Sequence, residues 1–174
     1  MIYPPRTSPI PPLTRPDVTR DFDAVMSSKD YLKAHFKPEN SWPEGLTIEQ
    51  NLIDLGWHEY EFQNRTSFTY TIADLKDELT LGCCYIYPSQ SDEHEIDVSY
   101  WVRSTELNTG LDQHVAYALE KWIAKSWPFE NPLFIHPVWI NLLLKAEDIR
   151  SATGAPVMAL HVSWSIFSHR GAKH

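Results

Sequence analysis

Glu78 to Pro88 reads ELTLGCCYIYP, and this run most narrows the folds open to the chain. It is apolar without alternation, the pattern of a central strand covered on both faces. A covered strand needs neighbours in a sheet and a layer on each side. Neighbours stand on either flank. SFTYTIAD alternates and is rich in β-formers. EHEIDVSYWVR alternates too: Ile96, Val98, Tyr100 and Val102 face one side, Glu95, Asp97, Ser99 and Trp101 the other. The links ADLKDE and PSQSDEHE suit antiparallel hairpins or tight loops.

The covering layers come from three amphipathic stretches. Thr19 to Phe36 carries a helical stripe of Phe22, Val25, Met26, Leu32 and Phe36, and Pro38 ends it. Thr47 to Arg65 opens on a capping box, Thr47 with Gln50, and Ile48, Leu52, Leu55 and Phe62 mark its expected buried side. Gly110 to Ser126 places Leu111, Val115, Leu119, Trp122 and Ile123 on one face. NPLFIHPVW then reads as a short strand, INLLLKAEDIRSATG as a helix ending at Gly154, and APVMALHVSWSIFS as a last strand. The order predicts an α/β (α+β) fold: a mixed, mostly antiparallel central sheet flanked by helices. Six of the thirteen prolines fall within residues 1–16, so that segment reads as an extended arm and residues 17–174 as a single domain.

Composition excludes several classes. Hydrophobic residues are 43% and charged residues 22%, which is globular rather than disordered. A net charge of −8 disfavours nucleic acid and anionic membranes as partners. No apolar run is long enough to cross a membrane, and MIYPPRTSPIPPLTRP does not read as a signal peptide. Cys83 and Cys84 are adjacent, so they read as two reduced, buried thiols in a cytoplasmic protein. The eight histidines show no metal-ligand spacing, so no metal site is expected. There is no Gly-x-Ser-x-Gly elbow and no Walker-type phosphate loop. The seven tryptophans read as packing between sheet and helices, as an acyl or aromatic cleft, or as a homodimer interface.

The phrases WPEGLTIEQNLIDLGWHEYEF, FTYTI, LGCCYIYP and DVSYWVR resemble the GNAT acetyltransferase superfamily, over roughly residues 17–137. They are similar to an uncharacterised bacterial branch with a degraded acyl-CoA signature. The resemblance implies an N-acetyltransferase that takes acetyl-CoA and a small amine or protein amine. The family signature is Gln or Arg, two residues, Gly, one residue, then Gly or Ala. Its three positions fall here on Leu107, Gly110 and Asp112, and only the glycine agrees. The resemblance further implies that backbone groups of Trp101, Val102 and Arg103 pair with the pantetheine arm. The turn Asn108, Thr109, Gly110 and Leu111 would hold the pyrophosphate, with Arg103 as a charge partner. Asp97 falls on the position of the family's base, and Glu95 is the reserve. The family's usual acid, a tyrosine on the helix after the next strand, has no counterpart in NLLLKAEDIRSATG.

A second reading stays open. Thr109 with Asp112 has capping-box spacing, so the helix can satisfy its own N-terminus and need no ligand. The chain would then be a catalytically inactive GNAT-fold binding or interaction module that has lost CoA. The state of the Gly110 turn separates the two readings.

Overall fold

The computed structural model describes residues 8–35 and 42–135. Their elements run α1 (Val18–Ser27), α2 (Lys29–His35), α3 (Ile48–Asn64), β1 (Phe68–Ala73), β2 (Thr80–Pro88), β3 (Ile96–Val102), α4 (Leu111–Ser126) and β4 (Leu133–Ile135). The strands form one sheet in the order β1-β2-β3-β4. β1, β2 and β3 are antiparallel neighbours joined by short links. α4 carries the chain back across the sheet, so β4 lies parallel to β3, with Asp97 opposite Leu133 and Ser99 opposite Ile135. This is the expected mixed, mostly antiparallel sheet between helices. The helix and strand expected beyond Pro137 lie outside the described residues.

β2 is covered on both faces. On one, Cys84 and Ile86 join Phe68, Tyr70, Val98 and Tyr100 beneath Val115, Leu119, Trp122 and Ile123 of α4. On the other, Cys83, Tyr85 and Trp101 pack against Ala24, Val25, Leu32 and Leu55 of α1, α2 and α3. Both cysteines are free and buried, and burial pushes both thiol pKa values up. Gly82 makes the tightest approach in the sheet. A Cβ there would sit 1.9 Å from the Trp101 carbonyl oxygen.

Three local features depart from the sequence reading. The helix expected over Thr19 to Phe36 is two helices broken at Ser28. Ser28 donates its N–H to Val25 O, and its Oγ accepts the N–H of Ser104 at 3.0 Å. The break therefore ties α1 to the segment that leaves β3. α3 keeps the Thr47–Gln50 capping box but is rotated from the expected face. Ile48 and Leu52 are 40% and 42% exposed, while Asn51 and Leu55 point inward. A buried hydrogen bond of 2.9 Å from Asn51 Nδ2 to Asp21 Oδ2 sets that rotation, because a buried carboxylate must be paired.

The end of the proline arm lies on the domain as a short edge strand. Leu13 N–H donates to Thr69 O and Thr71 N–H to Pro11 O, both at 2.9 Å. Leu13 is 2% exposed in the core beneath α1.

Candidate functional site

β3 leaves the sheet at Val102, and the next eight residues set up the N-terminus of α4. Arg103 donates its N–H to Leu81 O, and a short 3-10 turn, Ser104–Glu106, follows. Gly110 is the N-cap of α4 with φ of 89°, a left-handed conformation that favours glycine. The capping box expected from Thr109 and Asp112 does not form. Thr109 Oγ1 instead donates to Glu106 O at 2.9 Å and accepts a long 3.3 Å bond from Leu111 N–H. A left-handed glycine N-cap turns the backbone away from the geometry in which Asp112 could reach back. The N–H groups of Asp112 and Gln113 have no acceptor among the described residues. Two free donors at the positive end of a sixteen-residue helix form a receptor for an anion.

Asp112 does not fill that receptor. Its side chain is 6% exposed and lies inward. Tyr100 of β3 donates its hydroxyl to the Asp112 carbonyl at 3.1 Å and also meets its carboxylate. Tyr31 of α2 lies close by; burial and the Asp112 charge push its phenol up to about 12. Burial and Asp112 likewise raise the Tyr100 phenol. Asp112 Oδ1 has no hydrogen-bond partner among the described residues. The carboxylate is therefore a negative charge behind the turn, not a plug within it.

The β3 residues divide by what holds them. Trp101 is fully buried, and its Nε1 donates to Tyr85 Oη at 3.0 Å. Val102 lies in the core beneath α4. The Arg103 guanidinium is taken by Ser27 Oγ at 2.9 Å, Asp23 Oδ2 at 2.7 Å and Thr80 O. It braces α1 against the sheet. Asn108, Thr109 and Gly110 are exposed, and Leu111 is half-buried.

Asp97 sits on the α1–α3 face, cross-strand from Tyr87, where β3 pairs with β4. It is 4% exposed, its Oδ1 has no partner among the described residues, and Ser89 hydrogen-bonds to it. Burial is the main cause that raises its carboxyl pKa. Glu95 is exposed, and its Oε2 accepts the N–H groups of Glu130 and Asn131 at 2.6 and 3.2 Å. That carboxylate anchors the entry to β4. Asp97 and the Gly110 turn lie toward opposite ends of β3, and Glu95 immediately precedes the strand.

Tyr87 of β2 lies cross-strand from Asp97 and meets His58 of α3, a residue to which the sequence reading gave no role. The Tyr87 hydroxyl lies 3.4 Å from His58 Nδ1, and Thr69 Oγ1 lies 3.1 Å from the same nitrogen. The alternation of CCYIY puts Tyr87 on the face of Cys83, and the strand register puts it opposite Asp97. His58 needed the rotation of α3. Among the described residues no three metal-ligating side chains converge, and no helix is long and apolar enough to cross a membrane.

Comparison with solved structures identifies this arrangement of α4 between parallel β3 and β4. The ribosomal-protein-S5-alanine acetyltransferase of Vibrio fischeri superposes with a TM-score of 0.54 at 15% identity, over 67% of this chain and 63% of that one. The chain has the GNAT fold. The ribosomal L7/L12 alpha-N-protein acetyltransferase RimL, in complex with coenzyme A, gives a TM-score of 0.51 at 15% identity over 70% and 67% of the two chains. An acetyltransferase of Thermus thermophilus gives 0.50 at 18% identity over 71% of each. The chain spans less than two thirds of the length of the Vibrio enzyme. No family model matches the sequence, and no curated protein matches it.

Proposed function

We propose that the protein is an N-acetyltransferase that uses acetyl-CoA and an amine, with the GNAT fold placing the cofactor beside β3. One observation carries the reading. The α4 N-terminus, entered through left-handed Gly110, leaves the N–H groups of Asp112 and Gln113 unpaired, and the Asp112 carboxylate is turned away from them. That geometry suits a pyrophosphate, and a GNAT neighbour has been solved with coenzyme A. Asn108 to Leu111 would hold the pyrophosphate, and backbone groups of Trp101 to Arg103 would meet the pantetheine arm. Acetyl-CoA supplies the acyl group as a thioester. The acceptor nitrogen bonds to the acetyl carbon as the C–S bond breaks, and Asp97 takes the proton from the amine. Burial raises the pKa of that carboxyl, the direction that favours taking a proton from an amine.

A second reading rests on Arg103 and Asp112. The Arg103 guanidinium is engaged by α1, and the Asp112 carboxylate lies behind the turn, so of these two charges it is the anion that stands nearer the phosphates. On that reading the chain is a GNAT-fold interaction module without cofactor. Isothermal titration with acetyl-CoA separates them. Micromolar binding is the expected result. No heat at millimolar acetyl-CoA would leave the interaction module.

A further inference from the structure

At the far edge of the sheet from the Gly110 turn, the arm and β1 enclose an open cleft of about 910 Å³. Its walls are mainly apolar, from Pro9, Ile10, Pro11, Phe62 and Leu75. Arg65 also lines it. Arg65 ends α3 in a left-handed conformation, and its guanidinium packs over the Phe62 ring, 5.6 Å from the centroid. One long hydrogen bond, 3.4 Å to Phe62 O, engages it, and no carboxylate of the described residues pairs with it.

Two acidic residues share the cleft and are already engaged. Asp74 Oδ1 accepts the N–H groups of Glu78 and Leu79 at 2.8 and 3.0 Å, closing the β1–β2 turn. Asp77 Oδ1 pairs with Arg20 at 2.7 Å. Arg65 is the one cation among the described residues that line the cleft, and none of their carboxylates is within ion-pair distance of it. Tyr70 forms part of the wall, is 1% exposed, and its hydroxyl has no hydrogen-bond partner among the described residues. An unpaired buried hydroxyl is costly, so a partner there is favoured. Burial raises the Tyr70 phenol pKa, and the charge of Arg65 acts on it in the opposite direction, which places the two groups near each other.

We propose that this cleft binds a small carboxylate with an apolar body, of the aryl or branched-alkyl class, its anion on Arg65 and its body against Ile10 and Phe62. The guanidinium fork matches a carboxylate, and the Tyr70 hydroxyl supplies a further donor. The apolar walls favour a compact hydrophobic group over a free inorganic ion. The site is distinct from the Gly110 turn and does not depend on the acetyltransferase reading.

The test is a titration of the full chain with benzoate, followed by backbone amide spectra, with benzylamine as the counter-probe. Benzoate is expected to shift the amides of Ile10, Arg65 and Tyr70 at millimolar concentration and to leave those of Gly110 and Leu111 in place. Arg65→Gln is expected to weaken binding about tenfold or more. Tyr70→Phe keeps the ring and removes an unpaired hydroxyl, so it folds, and it too is expected to weaken binding. No shift with benzoate, undiminished affinity in either variant, or a preference for benzylamine would overturn the proposal.

Discussion

Asp21, Asp97 and Asp112 are each less than a tenth exposed. Asp21 is the best satisfied, accepting from Asn51 Nδ2 at 2.9 Å and from the Cys83 thiol at 3.3 Å. Even so, burial raises its pKa, as it raises that of Asp97. A raised folded-state pKa means that the native state holds the proton where the unfolded state has released it. The stability these groups contribute is full below the ordinary carboxylate range and declines as pH rises through the raised values. Asp21→Asn should therefore flatten the fall in stability from acid to neutral pH, measured by urea unfolding at a series of pH values. An unchanged slope would show that Asp21 is not the titrating group. The test for Asp112 is on the proposed cofactor instead. A carboxylate ~6 Å from a phosphate opposes it by up to ~3 kcal/mol at an effective dielectric of ~20. Asp112→Asn should bind CoA more tightly than the parent chain, and equal affinity would place the pyrophosphate elsewhere. The alternation of EHEIDVSYWVR placed Asp97 on the correct face. Its burial was not legible, because alternation alone reads the polar face as wet, and here helices cover both faces.

At the scale of elements, hydrophobic period served well wherever packing was local to one strand or helix. β2 showed its double coverage in GCCYIY, and α4 its buried side in Val115, Leu119, Trp122 and Ile123. The reading failed where a tertiary polar bond decided. Nothing in Thr19 to Phe36 marks a break at Ser28, since its acceptor role is completed by Ser104, far along the chain. The inward turn of Asn51 at the expense of Ile48 and Leu52 likewise follows from Asp21. The absent Thr109–Asp112 box is a conformational effect, since the spacing was right but Gly110 takes the cap in a left-handed form. Gly82 is the element-level constraint with the sharpest test. Its missing side chain lets β2 pass the Trp101 carbonyl just before β3 turns toward the candidate cofactor site. Gly82→Ala should cost about 2–4 kcal/mol in chemical unfolding, because backbone on both strands must shift. A loss below about 0.5 kcal/mol would mean that the strands separate there without cost.

At the scale of the whole molecule, the sheet has an edge problem that the arm resolves. β1 is the outer strand of the described sheet, and its Thr69 carbonyl and Thr71 N–H would face solvent as a template for another chain. Pro11 and Leu13 take both groups, and Pro12 sits between them, opposite Tyr70. In an antiparallel ladder the middle residue directs its backbone outward, and a proline there has no N–H to offer. The arm thus pairs inward and presents a blunt edge outward, where composition alone gave only an extended segment. Removing residues 1–13 should lower the melting temperature, since it strips the buried Leu13, worth ~2 kcal/mol, and two backbone hydrogen bonds of ~1 kcal/mol each. It should also produce larger species in size-exclusion light scattering as bare β1 edges pair. Pro12→Val in the full chain isolates the second effect: it keeps Leu13 and both inward bonds while restoring an outward N–H, so self-association without loss of melting temperature is the expected result. If neither the truncated chain nor Pro12→Val changes its assembly state, the arm stabilises the fold by packing alone and the edge needs no guard.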